Sequence, residues 1–145
     1  MRVEADVLLP VEPHEAWARL LAWERQPTWM QDAARVRVLT SHREGNGVRV
    51  AVKTRVLGIP LFTETLEVVT WDPPRRLRLA HRGLVRGIGE WALEPTGAGS
   101  RFRWMEDVRL PMPVLGEVAL MIYRPIMRRL MRRSLGEFRM QLTPH

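Results

Sequence analysis

The sequence predicts an α+β fold: a strongly curved antiparallel sheet of about seven strands wrapped around a long C-terminal helix, with one or two short helices after the first strand. Three observations predict it. Apolar and polar residues alternate with period two in seven separate segments, the mark of strands with one covered face. The connections among the last six are short, and short connections demand antiparallel pairing, because parallel neighbours need long crossovers. The only long segment left to cover the sheet is 114–142, which is helical in pattern.

The first strand is read from Val3, Ala5, Val7 and Leu9 alternating with Arg2, Glu4, Asp6 and Leu8, and it ends at Pro10. Pro13 suits the first turn of a helix. Ala16, Trp17, Leu20, Leu21 and Trp23 follow at helical spacing, so a helix is expected from His14 to about Trp23. Pro27 breaks it, and Thr28 to Asp32 reads as a linker carrying Trp29 and Met30.

Val36 and Val38 open the run of strands. Gly45-Asn46-Gly47 signals a hairpin turn. Val48, Val50, Val52, Thr54 and Val56 then share one face. After Gly58-Ile59-Pro60 come Phe62, Glu64, Leu66 and Val68. Asp72-Pro73-Pro74 turns the chain into Leu77, Leu79 and His81. Gly89, Trp91 and Leu93 form the next inward register, and Phe102, Trp104, Glu106, Val108 and Leu110 the last.

Val114 to Tyr123 is apolar almost all round, with Glu117 its only charge, so it is expected to be buried on most sides or to line an apolar pocket. Beyond Pro125, Met127, Leu130, Met131, Leu135, Phe138 and Leu142 form one stripe and Arg128, Arg129, Arg132, Arg133 and Arg139 the other face. The stripe shifts across Pro125, which predicts a kink or break there.

Composition bounds the rest. The 145 residues suit one domain, 1–145, and no segment approaches a membrane span. With no cysteine, disulfides, thiolate nucleophiles and cysteine-ligated metals are excluded. Acidic residues at Glu4 and Asp6 interrupt what a signal peptide would need, so a cytoplasmic protein is expected. The net charge is +7 and rests on arginine, with Lys53 the one lysine. Phosphate loops, dinucleotide fingerprints, Gly-x-Ser-x-Gly and His-Glu-x-x-His are missing. The four histidines are scattered, so no metal site and no cofactor are expected.

The order strand, helix, six-strand meander, terminal helix resembles the START-like (SRPBCC) superfamily with its helix-grip fold, and most nearly its bacterial polyketide cyclase/dehydrase and coenzyme Q-binding type. Three patterns carry the resemblance: Trp71-Asp72-Pro73-Pro74-Arg75-Arg76-Leu77, Gly87-Ile88-Gly89-Glu90-Trp91-Ala92-Leu93-Glu94-Pro95, and Arg109-Leu110-Pro111-Met112-Pro113-Val114-Leu115-Gly116. The superfamily shares no catalytic residues. What the resemblance implies is a deep apolar cavity under the C-terminal helix, used by different members for lipids, quinones, polyketides or plant hormones.

Three residues break the apolar inward face: Glu64, His81 and Glu106. An unpaired buried carboxylate costs several kcal/mol, so it protonates, finds a partner or meets water. One reading makes them a polar cluster that orients a ligand or performs acid/base chemistry. The other turns them outward at a bulge, or pairs them with Arg55, Arg76 or Arg103. Trp29 and Trp104 are candidates for the cavity wall; Trp91 shares the inward register and is a further candidate, although ordinary core is the preferred reading for it and for Trp17. Val52, Thr54 and Leu66 complete the expected sheet wall, and Met121, Ile122 and Ile126 the helical side.

Three functions follow from these residues. The first is a carrier or binding protein for a hydrophobic small molecule. The second is a small cyclase- or dehydratase-type enzyme using acid/base residues in the same cavity. The third is an interaction module meeting an anionic membrane or macromolecule through Arg128, Arg129, Arg132 and Arg133. Nucleic acid is disfavoured as that partner, because the arginines are not interleaved with exposed aromatics.

Overall fold

The computed structural model describes residues 1–143. Strand β1 (Arg2–Leu9) leads into helix α1 (Pro13–Leu20) and a 3-10 helix (Trp23–Thr28). Six strands follow: β2 (Ala33–Val38), β3 (Arg49–Val56), β4 (Ile59–Asp72), β5 (Arg76–Arg82), β6 (Arg86–Thr96) and β7 (Gly99–Arg109). Helix α2 (Pro113–Leu142) closes the chain. The strands form one sheet in the order β1-β7-β6-β5-β4-β3-β2, antiparallel throughout. The expected α+β helix-grip arrangement is what the chain adopts: a curled sheet holding a long terminal helix.

Local rules explain the elements. Val50, Val52, Leu77, Leu79, Trp91, Leu93, Phe102 and Trp104 are all buried on the alternating register, as a half-covered sheet requires. The β3–β4 hairpin turns at Leu57 and Gly58, both at positive φ (52° and 83°), the dihedrals of a two-residue type I′ turn. Register shifts after Thr54 in β3 and after Val68 in β4 interrupt the ladder and bend the sheet. Gly87 has φ +139°, and a Cβ there would stand 2.0 Å from the Asp107 carbonyl oxygen. Only glycine lets β6 and β7 approach so closely at that point.

Two boundaries differ from the sequence reading. The first helix stops at Leu20, and Trp23–Thr28 forms a separate 3-10 turn that includes Pro27. Proline's fixed φ is compatible with 3-10 dihedrals, so it sits inside this turn rather than ending a longer helix. The break expected at Pro125 does not occur: α2 runs unbroken for 30 residues. Pro125 withholds a hydrogen bond from the carbonyl four residues back, that of Met121, and both residues lie on the exposed side of the helix, where an unpaired carbonyl costs least.

The phase of α2 is continuous as well. Gly116, Leu120, Tyr123, Met127, Met131, Leu135, Phe138 and Leu142 recur every three or four residues, and each is buried or half-buried. The C-terminal half of this stripe packs into the core. Phe138 meets Trp29 at 4.9 Å and Phe102 at 5.7 Å between ring centroids, and Trp29 also meets Trp91 and Trp104. Side chains of this size contribute about 1.5–3 kcal/mol each on full burial. The N-terminal half of the stripe faces open space.

Candidate functional site

That space is a cavity of about 380 Å³ between the concave sheet and the first half of α2. Val50, Val52 and Thr54 of β3, Phe62, Glu64 and Leu66 of β4, and Leu79 and His81 of β5 form one wall. Gly89 and Trp91 of β6 and Trp104, Glu106 and Val108 of β7 form the other. Ala119, Leu120, Tyr123 and Met127 roof it. Leu84, 56 % exposed, and the exposed Ala119 belong to the lining, so the cavity reaches the surface between the β5–β6 turn and α2.

The three polar breaks in the sheet pattern meet at one point. His81 Nδ1 is 3.2 Å from Glu64 Oε1, and His81 Nε2 is 2.8 Å from Glu106 Oε2. Thr54 Oγ1 donates to the other Glu64 oxygen at 3.0 Å, and Trp104 Nε1 donates to the other Glu106 oxygen at 3.0 Å. Every carboxylate oxygen of the two glutamates and both imidazole nitrogens therefore have a partner. Sheet geometry makes this possible. Glu64 faces Val52 across the ladder and stands two residues from Leu66, the partner of His81, so these side chains meet on diagonals that long residues span. Glu106 faces Gly89. A Cβ on Gly89 would come within 2.8 Å of the Glu106 carboxylate, so the glycine leaves the hollow that the carboxylate fills.

The cluster holds a proton. Burial is the largest single influence on His81 and by itself pulls its pKa down. The hydrogen bonds to Glu106 and Glu64, with their Coulombic fields, together outweigh it and raise the pKa to about 10. Near neutrality His81 is an imidazolium donating from both nitrogens. The arginine pairings considered from sequence are made elsewhere: Arg76 bonds Glu90 at 3.1 Å and Arg103 lies 3.8 Å from Glu94.

Two ionisable side chains of the lining escaped the sequence reading. Asp32 lies just before β2, in an irregular segment where alternation assigns no face. Its carboxyl has no hydrogen-bonding side chain among the described residues. Burial, then the negative charges of Glu106 and Glu64, raise its pKa to about 6 against the pull of its own backbone amide and of His81. Tyr123 projects from α2, and burial followed by the charge of Asp32 pushes its phenol up. The apolar mask of 114–123 hid this tyrosine's inward phase.

The expected sheet residues Val52, Thr54, Glu64, Leu66, His81, Trp91, Trp104 and Glu106 all line the cavity. The helical side is corrected. Met121 and Ile122 are each 67 % exposed and Ile126 is 37 % exposed; they lie on the outward face, because the true inward stripe passes through Leu120, Tyr123 and Met127. Trp29 is also corrected: it is a core residue, 2 % exposed, behind Trp91 and Trp104 rather than in the wall. With Val114, Leu115 and Val118 also exposed, the first half of α2 shows an apolar face outward instead of being enclosed. Arg129, Arg132 and Arg133 continue that outward face, while Arg128 is half-buried at its flank. None of the four reaches a carboxylate among the described residues.

No group of His, Asp and Glu arranged to hold a metal ion occurs among the described residues, and no helix there is long and apolar enough to cross a membrane.

Comparison with known proteins adds the family context. The family described as "Polyketide cyclase / dehydrase and lipid transport" matches residues 1–143. No match was found among curated proteins. Among solved structures, TTHA0849 from Thermus thermophilus superposes with a TM-score of 0.80 at 20 % identity, covering 98 % of this chain and 97 % of that one. A START superfamily protein from Mycobacterium smegmatis gives 0.73 at 14 % identity, with 98 % and 99 % coverage. The di-domain ARO/CYC StfQ of the steffimycin biosynthetic pathway gives 0.75 at 16 % identity; the match covers 97 % of this chain and 50 % of StfQ. At these identities the structural likeness speaks for the fold.

Proposed function

The chain belongs to the polyketide cyclase / dehydrase and lipid transport family, and from that premise we propose that it binds a hydrophobic small molecule, lipid, quinone or polyketide-like, in the cavity under α2, as a carrier or binding protein. One observation carries the reading: an apolar space of about 380 Å³ that the protein's own tryptophans and methionines leave unfilled. Its volume falls in the range of small-molecule sites, and its few polar groups converge at one place, the usual division between affinity and orientation. A binder is favoured over an enzyme driven by His81. An imidazolium already donating to two carboxylates has no lone pair with which to take a proton.

Native mass spectrometry of protein purified from its own host should show a co-purifying apolar compound, and added quinones or fatty alcohols should change the emission of Trp91 and Trp104. Protein that is repeatedly empty and takes up neither class would sink the proposal. A cyclase- or dehydratase-type reading keeps one support, the titration of Asp32 near neutrality. It needs turnover that follows Asp32 ionisation and is lost in Asp32→Asn.

A surface-docking reading has its own observation. The outward face of α2 is apolar over the cavity and then cationic through Arg129, Arg132 and Arg133. Leu57, Ile59, Leu61 and Leu84 are also exposed, next to the lining residues Val56, Phe62 and Val85. This combination suits the surface of an anionic bilayer. Vesicles containing phosphatidylglycerol should retain the protein at low salt, and replacing Arg129, Arg132 and Arg133 with glutamine should release it. Retention unchanged by those substitutions would remove this reading.

A further inference from the structure

We infer that the cavity selects its guest by charge: the polar end of the ligand is a hydrogen-bond donor, an ammonium or a hydroxyl, that docks on the Asp32 carboxyl, and anions such as free fatty acids are excluded. This rests on the reading of the cavity as a binding site and names the ligand class for it.

The argument starts from which polar groups are free. Glu64 and Glu106 spend all four oxygens on His81, Thr54 and Trp104. His81 spends both nitrogens on them. Gln26, also in the lining, donates to the Leu20 carbonyl at 3.2 Å. Asp32 is different. It is half-buried, lines the cavity, and apart from its own backbone amide has no hydrogen-bonding partner among the side chains of the described residues. A carboxylate has room for several donors, and this one has only its own backbone amide, so a donor brought by the guest gains more here than elsewhere in the lining.

Charge points the same way. Three carboxylates, from Asp32, Glu64 and Glu106, face a single imidazolium, so the polar end of the cavity is net negative. The lining contains no arginine or lysine. The Met1 ammonium is the other cation at the lining, and it is bound to the Val108 carbonyl at 2.8 Å; the charges that act on Asp32 are those of Glu106, Glu64 and His81. Tyr123, the remaining titratable group, is a neutral phenol. An entering carboxylate would meet like charge in a medium where such repulsion is poorly screened. An ammonium would meet attraction, and a hydroxyl would supply a further donor without charge.

The test uses three probes of one chain length: decylamine, decanol and decanoate. Binding is followed by calorimetry and by cavity tryptophan emission at pH 7.5. Salt of 0.15 M screens the cationic exterior, with a Debye length of about 8 Å. Decylamine is expected to bind at least tenfold tighter than decanol, and decanol at least tenfold tighter than decanoate. In Asp32→Asn the amine should lose most of its advantage and decanoate should gain. Equal affinity for all three probes, or a preference for decanoate, would overturn the inference while leaving a guest-binding cavity in place. Failure of all three to bind would overturn this inference, and refusal of quinones as well would overturn the cavity reading.

Discussion

Glu106→Gln tests the electrostatics on which the polar end of the cavity depends. In the native protein, burial alone would pull the His81 pKa down, but the hydrogen bonds and fields of Glu106 and Glu64 lift it from 6.5 to about 10. A folded-state pKa above the unfolded value stabilises the fold fully below about pH 6.5 and ceases to do so as pH climbs through about 10. Each pKa unit is worth ~1.36 kcal/mol, so this rise corresponds to about 5 kcal/mol spread over that window. Unfolding free energy should therefore fall by roughly 1 kcal/mol per pH unit between those limits from this group alone. Glutamine keeps an acceptor for His81 Nε2 but removes the charge at the shorter, 2.8 Å contact, while burial is unchanged. His81 should then titrate lower, and the stability lost across the window should shrink by about 1 kcal/mol or more. Urea unfolding across the pH range measures the slope. The imidazole Cε1–H resonance, assigned by its loss in His81→Gln, measures the pKa. A native His81 that titrates near 6.5, or stability that stays flat above neutrality, would refute the reasoning.

Gly89→Ala places a methyl where the Glu106 carboxylate lies. Glu106 should swing away, the His81 pKa should fall, and the emission of Trp104, which donates to Glu106, should change; an unaltered His81 titration would show that the hollow does not matter. Asp32→Asn removes a carboxyl whose pKa is raised from 3.8 to about 6. A raised carboxyl weakens the fold as pH rises through its folded value, so the variant should be more stable than the native protein by up to ~3 kcal/mol at pH 8 and gain nothing below about pH 4, as checked by thermal or urea unfolding at both pH values. Along α2, Phe138→Ala should cost about 3–5 kcal/mol, whereas Ile122→Gln on the outward face should stay within about 0.5 kcal/mol; comparable losses in chemical denaturation would contradict the observed helix phase.

The sheet was legible residue by residue. Alternation placed Val52, Leu66, Leu79, Trp91 and Trp104 on the inner face, and the same alternation marked Glu64, His81 and Glu106 as the exceptions. Period two is a local property of an extended chain, and a covered face stamps it directly on the sequence. Helix α2 was harder. Its first half carries apolar residues on every side, so the sequence there holds no phase, and Met121, Ile122 and Ile126 read as inward from it although Leu120, Tyr123 and Met127 occupy that side. Trp29 and Asp32 sit between regular elements, where no periodicity assigns a direction. One became core and the other became the free carboxyl of the cavity.

The chain's pattern of extended and helical periods determined by itself that a meander of strands would curl around a terminal helix, and which strand residues would turn inward, because both follow from steric rules acting over a few neighbours. Only the tertiary structure decided that Glu64 and Glu106 close on the two nitrogens of one histidine, that Gly89 makes room for the Glu106 carboxylate, and that Asp32 is left over. Those facts depend on distances between residues far apart in the chain, and the proton affinity of each group is set by the charges and burial that folding brings to it.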